Sequence, residues 1–376
     1  MKCLFIHNTI ADYRIPFFLG LNKKINIEYI FTRKDLSKNI YGNDLNYEKV
    51  KVLKYKFLPE NIKKYKLLKE SLASFEYDKV ILPPIDTLRD YVDNIYILLL
   101  CKKYNKKTLY FGEKWEAPFE EQPLKKRIKN KLQAKAIKSI LSKVDLCIAS
   151  GSKSKEYLKN LSIKEDRIKI AIDASGVEKE EKVEDIRKKF NLNKDTKLIL
   201  YYGRIIERKG LDILIKAYKE INSIDSNTCL FICGKGQDYE KQCKKMVEEL
   251  GINNVIFNGY VDPNNRYTYF SQSDLFILPS YFYEGIVEAW GLTVNEALQC
   301  EVPVIATNAV GAAYDLLDGN NGKMISQNNI LELVEAMKEF LYYKDINKVK
   351  KSCSDTYNKF DYDNMINKFV EFIYKC

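Results

Sequence analysis

Two glutamates, Glu288 and Glu296, stand eight positions apart in the stretch EAWGLTVNEA at 288–297. A carboxylate accepts several hydrogen bonds at once, which suits the hydroxyls of a sugar. About eighty residues upstream, YYGRIIERKG at 201–210 sets Arg204 directly after Gly203 and Lys209 directly before Gly210. Two fixed cations at a strand exit, near a helix start, suit a diphosphate. A helix is expected to open at Gly291, so the backbone N–H groups of Gly291, Leu292 and Thr293 would lack intrahelical acceptors and could donate to a phosphate. Taken singly, each feature has an ordinary reading. Arg204 and Lys209 could be surface cations on a strand–helix loop, Glu288 a helix-dipole partner, and Glu296 a solvated helix residue.

The elements that must position these groups alternate along the chain. KCLFIH, IEYIF, KVILPP, KTLYF, DLCIAS and KIAIDAS (169–175) read as strands, with apolar-periodic helices between them. Residues 176–190 are charged and read as a linker. KLILYYGR, TCLFICGKG, NVIFNGY, DLFILPS and VPVIAT then repeat the strand pattern, with helices such as LDILIKAYKEI and GLTVNEALQC between. Strand–helix alternation implies parallel, doubly wound α/β sheets. We expect two such Rossmann-like domains: residues 1–175, the linker 176–190, and residues 191–360. A last helix from about 361 to 376 carries Met365, Ile366, Phe369, Phe372 and Ile373 on one side and would pack back on the first domain. Two such halves would face each other across a cleft, and ligands bind at the carboxyl ends of their strands.

Composition narrows the function. The 376 residues suffice for two cores, and one histidine argues against a zinc enzyme. The nine cysteines form no C-x-x-C pair. IYILLLC at 95–101 is too short to span a bilayer, and Asp12 and Arg14 interrupt the N-terminus too early for a signal peptide, so the expected location is the cytosol. Residues 1–190 hold 41 Lys/Arg against 26 Asp/Glu, and residues 191–376 hold 21 against 25. A basic first half can face nucleic acid, anionic lipid or a phosphorylated substrate. The basic segment 123–144 is expected to pack Leu124, Ile128, Leu132, Ile137, Ile140, Leu141 and Val144 on the sheet, leaving a solvated lysine face. A sharper reading seats that face on an anionic membrane. GKGQDY at 234–239 has G-x-G without a third glycine and is no dinucleotide fingerprint.

Together, GR-x4-KG, E-x7-E, PVIAT and Val310–Gly311 resemble the family-4 retaining glycosyltransferases of GT-B fold. That family's pattern reads EPWGL-V-NEA followed by G-PVI; this chain reads EAWGLTVNEALQCEVPVI. The strong match covers about 195–320. The resemblance implies that Arg204 and Lys209 hold the donor diphosphate and that Glu288 contacts the transferred sugar. Glu296 would take the ribose hydroxyls, the helix at Gly291 would cap the distal phosphate, and Asn258, Gly259 and Tyr260 would line base and ribose. It implies transfer of a sugar, with retention and without metal, from a UDP- or GDP-sugar co-substrate. The acceptor would be a saccharide or lipid-linked saccharide of a bacterial surface polysaccharide, met at the inner face of the cell membrane. No further cofactor is implied. Ala289 and Glu301 replace a proline and a glycine usual in the family. The first half departs more: NTIADYR stands where many members carry a glycine pair, and FGEKWE where many carry a histidine. His7 either lines the cleft as a catalytic group or packs at a strand end. Arg14 and Glu113 are candidates for the acceptor side, although a loop carboxylate can also be plain solvated surface. A non-catalytic nucleotide-sugar or nucleic-acid binder is the alternative; the presence of all four charged residues argues against a silent module, a nucleic-acid binder would leave E-x7-E unexplained, and no nucleic-acid partner is expected.

Overall fold

A computed structural model describes residues 1–34, 36, 47–74 and 76–376. The chain divides into two compact units. The first comprises Met1–Trp115, Leu124–Asp173 and Tyr362–Cys376; the second comprises Glu116–Pro123 and Ala174–Asp361.

The first unit is built on seven strands: β1 (Lys2–His7), β2 (Asn26–Phe31), β3 (Tyr55–Phe57), β4 (Lys79–Leu82), β5 (Lys107–Gly112), β6 (Leu146–Ala149) and β7 (Ile168–Ile170). They pair in parallel in the order β3-β2-β1-β4-β5-β6-β7. Strands β4 and β6 are buried along their whole length, which is why KVIL and LCIA read as near-continuous apolar runs rather than alternating ones. Aromatic side chains fill one face: Phe5 meets Phe17, Phe18 and Tyr29 edge-on or tilted. The C-terminal helix Tyr362–Lys375 closes this core with Met365, Ile366, Phe369, Phe372 and Ile373. Phe369 stacks edge-on against Phe17 at 4.8 Å and Phe111 at 4.9 Å. Each such side chain contributes up to about 1.5–3 kcal/mol of burial, so the helix is a structural member of this unit.

The second unit holds β8 (Lys197–Tyr202), β9 (Thr228–Cys233), β10 (Val255–Gly259), β11 (Leu275–Leu278), β12 (Val304–Thr307) and β13 (Gly322–Ile325). Their order is β10-β9-β8-β11-β12-β13, again all parallel. The sequence reverses direction between neighbours β8 and β11, and the loops leaving those two strands diverge there. That switch point is where doubly wound sheets hold ligands.

Three expectations need correction. The strand expected over 169–175 ends at Ile170. The helix expected from Gly291 begins at Thr293 and ends at Gln299, because Gly291 has φ of 97°, outside the helical range. The basic segment forms a helix over Leu124–Leu141 but buries only its later apolar residues: Ile137, Ile140 and Leu141 are buried, whereas Leu124, Ile128 and Leu132 lie exposed. The apolar residues do not form one stripe: Leu124, Ile128 and Leu132 lie on the side of the helix opposite Ile137, Ile140 and Leu141, and only the second group faces the core.

Candidate functional site

The second unit gathers charge at the exits of β8, β11 and β12. Strand β8 ends at Gly203, and Arg204 follows with its side chain exposed and its carbonyl accepting from the Tyr201 hydroxyl at 2.9 Å. A short 3-10 turn, Glu207–Lys209, leads through Gly210 into the helix Leu211–Ile224. Gly210 has φ of 68°, and a Cβ there would fall 2.1 Å from the Pro279 carbonyl, so the turn requires glycine. The turn directs Lys209 and Arg208 onto one carboxylate. Lys209 Nζ lies 2.6 Å, and Arg208 a nitrogen 2.8 Å, from the same Oε2 of Glu288.

Glu288 is fixed by backbone pairing with the loop after β12. Its N–H donates to Ala309 at 3.0 Å and its carbonyl accepts from Gly311 at 3.1 Å. Burial works against its ionisation, but the charges of Lys209 and Arg208 outweigh burial and hold its carboxyl near 2. Burial lowers the Lys209 ammonium pKa; Glu288 opposes this and neighbouring Arg208 reinforces it. Arg204 acts on Lys209 in the same sense, which places it in the same cluster.

Glu296 sits in the first turn of Thr293–Gln299 and is 1% exposed, so the solvated-surface reading of this residue does not hold. Its Oε1 accepts from the Ser175 hydroxyl at 2.9 Å and from Arg266 at 2.5 Å. Its Oε2 is buried with no partner among the described residues. Burial raises its pKa above the ordinary carboxylate value, against the opposing pull of Arg266 and Ser175. A buried carboxylate oxygen without a donor is costly, and such atoms call for an explanation. The two glutamates lie to either side of the end of β8. Glu288, Arg208 and Arg204 act on the Tyr201 hydroxyl, whereas Arg266, Glu296 and Tyr260 act on that of the next residue, Tyr202.

Between the glutamates, Trp290 is 4% exposed and donates from its indole to Asn295 at 2.9 Å. At Gly291 a Cβ would meet Val310 at 2.8 Å, so glycine is required by both φ and space. The backbone N–H groups of Gly291, Leu292 and Thr293 find no acceptor among the described residues. Asn258 occupies a bulge in β10, its amide 3.9 Å from the Cys233 sulfur. Gly259 follows with φ of 81°, and Tyr260 is half exposed with Lys235 Nζ 5.8 Å from its ring centre.

In the first unit, His7 ends β1 and packs edge-on against Phe5 and Phe18. Its Nδ1 donates to the Thr9 carbonyl at 3.0 Å, which leaves Nε2 as an acceptor. Burial pushes its pKa down to about 4, so the ring is neutral at pH 7. Arg14 is 1% exposed and grips Asp173 with both terminal nitrogens at 2.6 and 2.8 Å, while also binding Glu113. Burial opposes its charge, yet Asp173 and Glu113 raise its pKa well above the usual value. Arg14 therefore holds Glu113, whose carboxylate remains partly exposed, rather than facing solvent itself.

Sequence reasoning did not find Arg208, Arg266, Ser175 or Asp173. Arg208 stood next to Lys209 in the motif and could have been weighed. Arg266 and Ser175 reach Glu296 from 30 and 121 residues away, and no local spacing marks them.

Residues 182–355 match the model of the family described as glycosyl transferases group 1. The chain is 29% identical over 244 residues to an uncharacterised 41.2 kDa protein of the cps region of Klebsiella pneumoniae, a stretch that covers 64% of each chain. It is 26% identical over 206 residues to the lipopolysaccharide 1,2-N-acetylglucosaminetransferase of Salmonella typhimurium, covering 50% of this chain and 51% of the relative. The matched stretches thus take in less than two thirds of either relative. Over its whole length the chain superposes on all of Anabaena Alr3699/HepE in complex with UDP, with a TM-score of 0.78 at 15% identity. This likeness establishes the GT-B fold.

Proposed function

We propose that the protein, whose residues 182–355 belong to the glycosyl transferases of group 1, moves a sugar from a nucleotide diphosphate sugar to an acceptor hydroxyl. The observation that carries this reading is the unpartnered, buried Oε2 of Glu296. A ribose hydroxyl would supply the missing donor, while Ser175 and Arg266 hold the other oxygen in place. Arg204, Arg208 and Lys209 against Glu288 leave two net positive charges, which match the two negative charges of a diphosphate diester. Lys209 and Arg204 would hold that diphosphate, with the amides of Gly291, Leu292 and Thr293 on its distal phosphate. Glu288 would contact the transferred sugar, and Asn258, Gly259 and Tyr260 the base and ribose.

In the reaction, the bond from the anomeric carbon to the phosphate oxygen breaks as a bond to the acceptor oxygen forms. The acceptor proton passes to the departing phosphate. With front-face attack the anomeric configuration is retained, and the fixed cations stabilise the leaving diphosphate without a metal ion. The first unit would take the acceptor. Glu113, positioned by Arg14, and the acceptor nitrogen of His7 are the groups offered for its hydroxyls. The UDP in the Anabaena structure favours a UDP-sugar. The lipopolysaccharide in the Salmonella relative's name favours a bacterial surface saccharide as acceptor; a lipid-linked form of it, met at the inner face of the membrane, is part of the same proposal, and a GDP-sugar is the other donor to test.

In the absence of an acceptor, water is expected to take its place and release the sugar slowly. Proton NMR of a UDP-sugar incubated with the protein should show free sugar appearing first in the donor's own anomeric form. Loss of this signal in Glu288→Gln is expected. First appearance of the opposite anomer would refute retention.

A further inference from the structure

Two neighbouring helices of the first unit turn apolar faces outward. On Leu88–Lys103, Leu88, Val92, Ile95 and Leu99 recur at i, i+4, i+7 and i+11 and are all exposed, Leu88 to 83% and Leu99 to 62%. On Leu124–Leu141, Leu124, Ile128 and Leu132 recur at i, i+4 and i+8, exposed to 70%, 56% and 63%. The opposite faces, including Ile97 and Leu100 on one helix and Ile137 and Ile140 on the other, are buried. A hydrogen bond between the Tyr91 and Ser139 hydroxyls at 3.2 Å ties the two helices side by side. An ordinary surface helix shows polar residues at the centre of its outer face. Here the outer face of Leu88–Lys103 is apolar at its centre, and that of Leu124–Leu141 sets Leu124 and Ile128 beside Lys131 and Lys135, each seven residues further on; exposed apolar surface of this kind marks a binding face.

Charge says what that face binds. The helix Leu124–Leu141 contains no acidic residue, and Lys125, Lys129, Lys131 and Lys135 are exposed beside its leucines. The other helix carries two acids, Asp90 and Asp93, both buried and paired with Arg33 and Lys64. The exposed charge on both helices is therefore cationic only. A second copy of the chain would set lysine against lysine, which opposes self-association. No helix of the described residues is long and apolar enough to cross a membrane. We propose that this two-helix face lies flat on an anionic lipid surface, its leucines in the headgroup boundary and its lysines on the lipid phosphates.

This surface goes beyond the donor-site reading and stands independently of it, since vesicle binding requires no nucleotide. The test is sedimentation of the full-length protein with large vesicles of phosphatidylcholine alone or mixed equally with phosphatidylglycerol. Binding is expected to the mixed vesicles at low ionic strength, to weaken as salt is raised, and to be slight on phosphatidylcholine. The double variant Leu99→Ser/Ile128→Ser should bind about tenfold more weakly or worse, because it removes apolar area the interface would bury. Both residues are exposed, so an unchanged thermal midpoint is expected alongside. A Leu99→Trp variant should be quenched by bromine-labelled lipid acyl chains. Absence of sedimentation with the anionic vesicles at low salt would overturn the proposal. So would wild-type affinity in the double variant, which would leave charge alone at work, or a wild-type dimer dispersed by the same substitutions, which would make the face a protein interface.

Discussion

Replacing Glu296 by glutamine should weaken nucleoside diphosphate binding about tenfold and should not lower the stability of the free protein. The side chain is 1% exposed, with Oε1 engaged by Ser175 and Arg266 and Oε2 without a donor. Glutamine keeps the shape and removes the charge. Hydrogen bonds to a charged acceptor are worth about 1.5–3 kcal/mol, and those to a neutral one about 0.5–1.5 kcal/mol. The difference over the ribose contact is about 1.4 kcal/mol, a factor of about ten in Kd. Stability moves the other way. The folded-state pKa of Glu296 is raised, so stability is lost as pH rises through the interval between its ordinary and its raised value. A neutral amide removes that loss, so at pH 7.5 the variant should melt at the same temperature as the wild type or higher. Wild-type affinity should also fall on acidification sooner than an ordinary carboxylate would dictate, and this dependence should vanish in the variant. Calorimetric titration with the tightest-binding nucleoside diphosphate, beside thermal unfolding, reads all three effects. An unchanged Kd with a melting temperature lowered by several degrees would refute the reasoning and make Glu296 a structural carboxylate.

Other groups give separable outcomes. Glu288 is held near 2, so its ion pairs stabilise the fold above its ordinary pKa and fail as pH falls from about 4.5 toward 2. Acid titration of Glu288→Gln should show a flatter stability profile in that window, by at most about 3 kcal/mol. His7 titrates near 4 when folded against 6.5 when unfolded, so the unfolded chain takes up its proton first and stability falls from pH 6.5 to 4. His7→Phe should remove about 3 kcal/mol of that fall, as followed by urea unfolding at several pH values; an identical slope would show that the ring is not buried neutral. Gly291→Ala places a Cβ 2.8 Å from Val310 at φ of 97°, and should cost about 1–3 kcal/mol in chemical denaturation. A neutral result would mean that the loop before Thr293 relaxes freely.

Much of the second unit was legible before any coordinates. Its central strands β8, β9, β11 and β12 are buried over nearly their whole length and read as short apolar runs, and the charged residues of the motif stand at strand carboxyl ends, where the fold makes a site. Two edge or near-edge strands escaped notice: Tyr55–Phe57 is three residues long, and Gly322–Ile325 begins with glycine and carries a lysine, so neither offers an apolar run. The helix after Gly291 was read two residues too early because a positive φ leaves no trace in apolar periodicity. The residues that orient the glutamates lie far along the chain, and only folding brings Ser175 and Arg266 to Glu296, or Asp173 to Arg14 across 159 residues. The stripe Leu124, Ile128 and Leu132 illustrates the same limit in another form: a helical repeat identifies an apolar face, but not whether anything covers it.

The most direct measurement is calorimetric titration of the wild-type protein with UDP-, GDP-, ADP- and dTDP-sugars, repeated on Arg204→Ala. The account predicts saturable one-to-one binding of one nucleotide class, and a loss of affinity of about tenfold or more in the variant. Absence of binding by every nucleotide sugar at millimolar concentration, or equal binding by the variant, would contradict it.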